Sequence, residues 1–233
     1  MDVKNSLFFI LLTIILGIAT AFLYFYGYYM SFIILNHLQA PWADVFFSKI
    51  THLGDGITFT AIFYLIYGHK DISKTLSLIL CLIISSLIVQ ILKNLVFYDW
   101  YRPLVIFGEN LVNHIKGYEA YGRTFPSGHS TAIFTTIFCI IQWKSWNYIF
   151  QMLFFLIGFS VAFSRIYLGV HFLGDVLMGI FIAFVVSFAL FKYISSRFHL
   201  LNKNSYGKKF LFYLSILVLT IVFCLRVIFE INF

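Results

Sequence analysis

Long apolar runs alternate with short polar breaks along the whole chain, and the runs carry most of its length. A helix needs about 20 mostly apolar residues to cross a bilayer. Runs of that character lie near 6–26, 56–68, 73–97, 128–143, 147–165, 172–192 and 209–229. The second and fourth are short and are expected to borrow flanking residues. The first has features of a cleaved signal peptide, because Lys4 precedes it and Ala19-Thr20-Ala21 has the small residues of a cleavage site. Its apolar stretch continues through 22–26, beyond that site, so the pattern predicts an uncleaved helix. No repeat, low-complexity segment or long linker intervenes. The expectation is an all-α, polytopic membrane bundle forming a single domain over 1–233.

Composition narrows this further. Of 233 residues, 61% are apolar and 11% charged, whereas a soluble domain carries about 25% charged residues. So few charges cannot cover a water-exposed surface, and such hydrophobicity excludes disorder. Aromatic residues reach 21%, a supply suited to lipid-facing surfaces and interfacial belts. Cys81, Cys139 and Cys224 each lie within an apolar run and read as small buried hydrophobes.

The formal charge of +7 is explained by sidedness. Seven crossings sort the polar breaks into two sets. With the N-terminus cytoplasmic, one set holds Lys4, Lys70, Lys74, Lys144, Lys192, Arg197, Lys203, Lys208 and Lys209 against Asp2 and Asp71. The other set balances its cations with acids. A Lys/Arg excess marks the cytoplasmic side, so the orientation follows and no nucleic acid is needed to account for the basic pI. The excess gathers in 192–209, a polar loop able to touch anionic headgroups.

Three cations on the opposite side stand where a membrane protein ordinarily avoids charge: Lys93 near the end of the third run, Arg102 just beyond it, and Arg165 at the end of the fifth. Each alone is compatible with a snorkelling anchor, but ionisable residues at such depths usually serve function. Their company favours function. Pro126-Ser127-Gly128-His129 opens the fourth run. Ser127 is a preferred N-cap, the first-turn N–H groups form an anion seat, and Gly128 removes a side chain where a phosphate needs close approach. Next, Ser164-Arg165 is followed by His171 and Asp175. The last two share a helix face at i and i+4, so the carboxylate can accept one ring N–H and leave the other nitrogen free to attack. His129, His171 and Asp175 are conceivable zinc or iron ligands, but the neighbouring Lys93, Arg102 and Arg165 suit an oxyanion better than a divalent metal.

Taken together, these blocks resemble the type 2 phosphatidic-acid phosphatase family, whose pattern is Lys-x6-Arg-Pro, then Pro-Ser-Gly-His, then Ser-Arg-x5-His-x3-Asp. The second block is matched at 126–129 and the third at 164–175 without gaps, and the likeness covers about 50–195. It implies a six-helix core with the site at the outer membrane face, plus a seventh C-terminal span at 209–229 outside that core. It also implies metal-independent hydrolysis of lipid phosphomonoesters or diphosphates, with no cofactor. By the same likeness His171 is the nucleophile, Asp175 its partner and His129 the proton donor. Lys93, Arg102, Arg165, Ser127 and Gly128 hold the phosphate.

The first block departs from the pattern, since eight residues separate Lys93 from Arg102-Pro103 rather than six. Seven steps along a helix turn about 700°, nearly the same face, whereas nine turn about 900°, the opposite face. The helix is therefore expected to end near Tyr98 and Asp99, with the extra residues looping Arg102 back. A rival pair, Lys116-x6-Arg123, has the spacing but lacks the Pro, and Arg123 is retained as a further phosphate contact.

The expected partners are a lipid phosphate substrate and membrane lipids, in a bacterial inner membrane with the site periplasmic or extracytoplasmic. Undecaprenyl diphosphate, phosphatidylglycerophosphate, phosphatidic acid and a lipid A phosphate all fit, with the 104–125 loop choosing among them. The sequence leaves the oligomeric state open. Vanadate haloperoxidases share the motifs but are soluble. A transporter or binding protein for an anionic phosphorylated substrate is the alternative from another class, and it would show broken helices and inverted repeats.

Overall fold

The computed structural model describes residues 5–66 and 70–198, and beyond them 206, 207, 209, 210, 213, 216 and 217. It contains α1 (Ser6–Asn36), α2 (Pro41–Ile50), α3 (Ile57–Ile66), α4 (Ile72–Ile91), α5 (Pro103–Phe107), α6 (Gly128–Trp143), α7 (Tyr148–Tyr167) and α8 (Leu173–Arg197). No strand occurs among the described residues, only one isolated bridge, between Tyr101 and Arg123. The seventh span expected at 209–229 lies largely outside the described residues.

Among the described residues, four helices are long and apolar enough to cross a membrane: α1, α4 with its extension to Val96, α7 and α8. α6 is shorter, with 16 residues, and occupies the middle of the bundle. Nearly every residue from Ser130 to Trp143 is buried, so α6 presents almost nothing to lipid. Its interfaces are stitched by small polar side chains, as membrane bundles often are. Thr135 Oγ1 donates to Ser85 Oγ at 3.2 Å, Ser187 Oγ donates to the Thr135 carbonyl at 3.3 Å, and the Thr60 and Thr136 hydroxyls meet at 3.2 Å. α8 crosses α6 at Gly179, where a Cβ would fall 2.7 Å from the Ser127 carbonyl oxygen.

α1 is longer than its sequence pattern predicts, and the reason is local. It runs through Ala19-Thr20-Ala21 without a break and reaches the expected end at 26. Gly27 then adopts φ 71°, ψ 176°, a conformation open to glycine at little cost, and helix resumes to Asn36. Asn5 ties the start of α1 to the α6–α7 connection, donating to the Ile141 carbonyl at 2.8 Å and accepting from Trp146 N at 2.9 Å. Asn36 fastens its end, donating to the Ile166 and Tyr167 carbonyls at 3.0 and 3.1 Å.

The sequence pattern gave no sign of α2. It packs Ala43 and Phe47 against Tyr167, Leu168 and Val170 at the end of α7, and Tyr167 donates to Asp44 at 2.5 Å. α2 and the 3-10 turn Thr51–Asp55 thus brace the end of the bundle where the charged motifs gather.

Candidate active site

The ends of α4 and α7 and the starts of α6 and α8 meet at one end of the bundle. The tie between the two starts is direct, since Ser127 N–H donates to the Asp175 carbonyl at 3.0 Å. Ser127 is fully buried and its hydroxyl caps α6 by accepting from Ser130 N at 3.4 Å. Its role in the described structure is to fix the helix start, which leaves the first-turn N–H groups of Gly128 and His129 facing outward from the ladder.

Asp175 sits in the first turn of α8, whereas His171 precedes that helix by two residues, so the two meet at the helix start and do not share a helix face as the i, i+4 spacing predicts. They are 0% and 2% exposed. Asp175 Oδ2 lies 3.1 Å from His171 Nδ1, accepts from Phe172 N at 2.9 Å, and accepts the Thr124 hydroxyl. An ionised carboxylate can only accept, so Nδ1 carries the ring proton and Nε2 keeps its lone pair. The single Thr124 proton is spent on Asp175. Thr124 Oγ1, 3.2 Å from Nδ1, therefore acts toward the imidazole as an acceptor. Burial first, then Arg102, Lys93 and Arg165, push the His171 imidazole well below its ordinary value. All four act against the charged form, so they favour a neutral ring with its Nε2 lone pair free.

Arg165 is 7% exposed. Its Nη1 donates to Thr51 Oγ1 at 2.6 Å, while its Nε has no partner among the described residues. A buried guanidinium N–H without an acceptor is costly, and an oxyanion would satisfy it. His129 is half-buried in the first turn of α6 and shares its surroundings with Arg165, His171 and Arg102. The Thr51–Asp55 turn approaches the ring closely at Gly54, where a Cβ would fall 3.0 Å from His129 Cδ2.

The longer spacing between Lys93 and Arg102 has a structural answer. After Ile91 the helix widens into a π turn, Leu92–Val96, closed by Phe97 N to the Leu92 carbonyl at 2.8 Å. Lys93 sits in this turn, and the helix ends at Val96, slightly before the expected Tyr98 and Asp99. The chain then turns back and pairs with the segment ahead of α6: Arg102 N donates to the Gly122 carbonyl at 2.9 Å, and Thr124 N to the Trp100 carbonyl at 2.8 Å. Arg102 Nε reaches the Arg123 carbonyl at 3.2 Å. Arg123 itself braces this connection, donating to the Tyr98 carbonyl at 3.0 Å and to Asn94 Oδ1 at 2.7 Å. Lys116 is exposed on the 108–122 loop.

Sequence reasoning did not single out Tyr28, Thr51, Gly54 or Thr124. Thr124 could have been suspected, since it stands two residues ahead of Pro126, but a threonine carries no spacing signal of its own. Tyr28 and Thr51 come from parts of the chain distant from the motifs. No three His, Cys, Asp or Glu side chains gather in a metal-binding arrangement among the described residues.

Comparison with known proteins places these features in context. The family model described as the PAP2 superfamily matches residues 74–199. The chain is 29% identical over 182 residues to a protein of Porphyromonas gingivalis named lipid A 4'-phosphatase, covering 71% of this chain and 72% of that one. It is similar to the crystal structure of Aquifex aeolicus LpxE, with TM-score 0.60 and 29% identity over 70% of this chain and 93% of that one. A PAP2-type phosphatidylglycerolphosphate phosphatase from Bacillus subtilis shares the fold, with TM-score 0.53 and 23% identity over 84% and 98% of the two chains.

Proposed function

This chain belongs to the PAP2 superfamily and is a membrane phosphatase of that kind, and from this premise we propose that its substrate is a phosphorylated glycolipid of the lipid A type. The relative named lipid A 4'-phosphatase supports that substrate class. The observation that carries the chemistry is the buried His171–Asp175 pair, a neutral imidazole on a carboxylate beneath three cations, one of which keeps an unpartnered N–H.

In the reaction, His171 Nε2 attacks phosphorus while the bond to the lipid oxygen breaks. His129, protonated, donates to that oxygen as it leaves. A water molecule then attacks the phosphohistidine, His129 takes its proton, and inorganic phosphate departs with Nε2 restored. Phosphoryl transfer depends mainly on positioning and on neutralising the equatorial oxygens. Lys93, Arg102, Arg165 and the first-turn N–H groups of Gly128 and His129 supply that, with Ser127 fixing the turn. Arg123 contributes by holding the Lys93–Arg102 connection, and from its exposed side it adds positive charge at the mouth. A cluster of cations leaves no role for a bound divalent metal, so the reaction proceeds without one. The whole of 1–233 acts as one domain in the inner membrane, with the N-terminus cytoplasmic and the site on the outer side.

The test is release of inorganic phosphate from lipid A, phosphatidylglycerophosphate, phosphatidic acid and undecaprenyl diphosphate in mixed micelles containing EDTA. Release from lipid A, with product lighter by one phosphate, is expected. Activity confined to the other lipids would overturn the substrate assignment, and release from none would favour a transporter or binding protein.

A further inference from the structure

We propose that Tyr28 is a positioning residue of the catalytic centre, its phenol holding the Asp175 carboxylate in place behind His171. The family match begins at residue 74, so this brings into the site an element from outside the matched region. The inference rests on the reading of His171 as nucleophile.

Three features aim Tyr28 at this carboxylate. The break at Gly27, φ 71° and ψ 176°, redirects α1 immediately before it. The ring then stacks on Phe172, centroids 4.5 Å apart and planes 29° apart, with the edge of Trp100 at 5.6 Å. Gly174 leaves the space the ring occupies, since a Cβ there would fall 2.7 Å from Tyr28 Cε2. The phenol hydroxyl donates to Asp175 Oδ1.

The two carboxylate oxygens are loaded differently. Oδ2 serves the Thr124 hydroxyl, Phe172 N–H and His171 Nδ1. Oδ1 takes Tyr28 as its donor. A fully buried carboxylate oxygen that loses its donor is left costly and free to reorient. The groups acting on Asp175 from its surroundings are Lys93 from the end of α4, Arg102 from the returning segment, His171 and the Phe172 N–H from just ahead of α8, and the Tyr28 and Thr124 side chains by hydrogen bond. Of these, Tyr28 and Thr124 are uncharged donors that leave the cations free for phosphate. Tyr28 therefore acts through Asp175, keeping it ionised and aligned with Nδ1, and does not touch the reacting atoms.

The test compares full-length wild type, Tyr28→Phe, Tyr29→Phe and His171→Ala in detergent, following phosphate release from lipid A across pH. Tyr28→Phe should lower kcat at least about tenfold, as loss of a hydrogen bond to a charged group implies, with KM changed less than about twofold. The acid limb of kcat should move to higher pH, because a carboxylate with one donor fewer takes up a proton more readily. Tyr29→Phe should leave both unchanged. Wild-type kcat and pH profile in Tyr28→Phe, with His171→Ala inactive, would overturn this proposal and leave the nucleophile assignment standing. An active His171→Ala would overturn both. Incorporation of 3-fluorotyrosine at position 28 keeps the ring and strengthens the donor, so the acid limb should move to lower pH. An unmoved limb there overturns the proposal even if Tyr28→Phe does not fold.

Discussion

In the proposed mechanism His171 must be neutral to attack and His129 protonated to donate, so the two imidazoles need opposite states in one small space. For His171 the surroundings favour the neutral form: burial, Arg102, Lys93 and Arg165 all disfavour its charged form. The deprotonated ring is the active one, so a lowered value extends activity toward acid. A nucleophile titrating at about 6.5 would keep about a tenth of its activity at pH 5.5. Substrate-saturated kcat, its acid limb left to Asp175, is instead expected to keep well over a tenth of its maximum at pH 5.5, which a pH–rate profile in a three-buffer mixture checks directly. His129 has a separable signature. His129→Ala should slow phosphate release by about 10²- to 10⁴-fold on a lipid substrate, with partial rescue of the first step when the leaving group is a nitrophenol, read as a burst of nitrophenolate. At this scale the sequence was informative where a motif kept partners close along the chain, as for His171 and Asp175, although His171 lies two residues ahead of α8 and not on its face. Thr51 and Tyr28 were illegible because each reaches the site by tertiary contact alone, and Thr124 offered only its nearness to Pro126.

At the scale of elements, the departure at Lys93 is resolved by two local structures that spacing alone could not supply. The π turn Leu92–Val96 changes the angular position of Lys93, and the pairing of 100–102 with 122–124 returns Arg102 to the site. π turns inside helices often mark functional positions. Lys93→Ala should therefore lower kcat/KM by at least about 10²-fold, as loss of a charge clamp on a transferring phosphoryl group does. Lys116→Ala, on its exposed loop, should stay near wild type. The reverse result would transfer the phosphate-binding role to Lys116 and Arg123. The hydrophobic pattern marked the long helices because lipid-facing runs are uninterrupted, but it stopped the first at 26, just before the Gly27 break, whereas helix continues to Asn36. It missed α2, whose ten residues are too short for a span and mix Asp44, Ser48 and Lys49 with apolar neighbours.

For the whole molecule, the orientation drawn from the charge balance puts the motif-bearing end of the bundle outside and the ends of α6 and α8 inside. In a cysteine-free background, Tyr121→Cys should react with an impermeant maleimide added to intact spheroplasts, whereas Arg197→Cys should react only after lysis. Labelling of both from the same side would contradict the orientation and with it the outer-face site. The larger claim is that four helix ends, from α4, α6, α7 and α8, assemble one phosphatase centre whose nucleophile is a histidine. Its most direct test is rapid quench at alkaline pH during turnover of phosphorus-32-labelled lipid A, followed by peptide mapping of the full-length protein. Acid-labile, alkali-stable label on the peptide containing His171, absent from His171→Ala, is the expected result. Undiminished turnover by a folded His171→Ala protein, with no label on wild type, would show that water attacks phosphorus directly and would contradict the account.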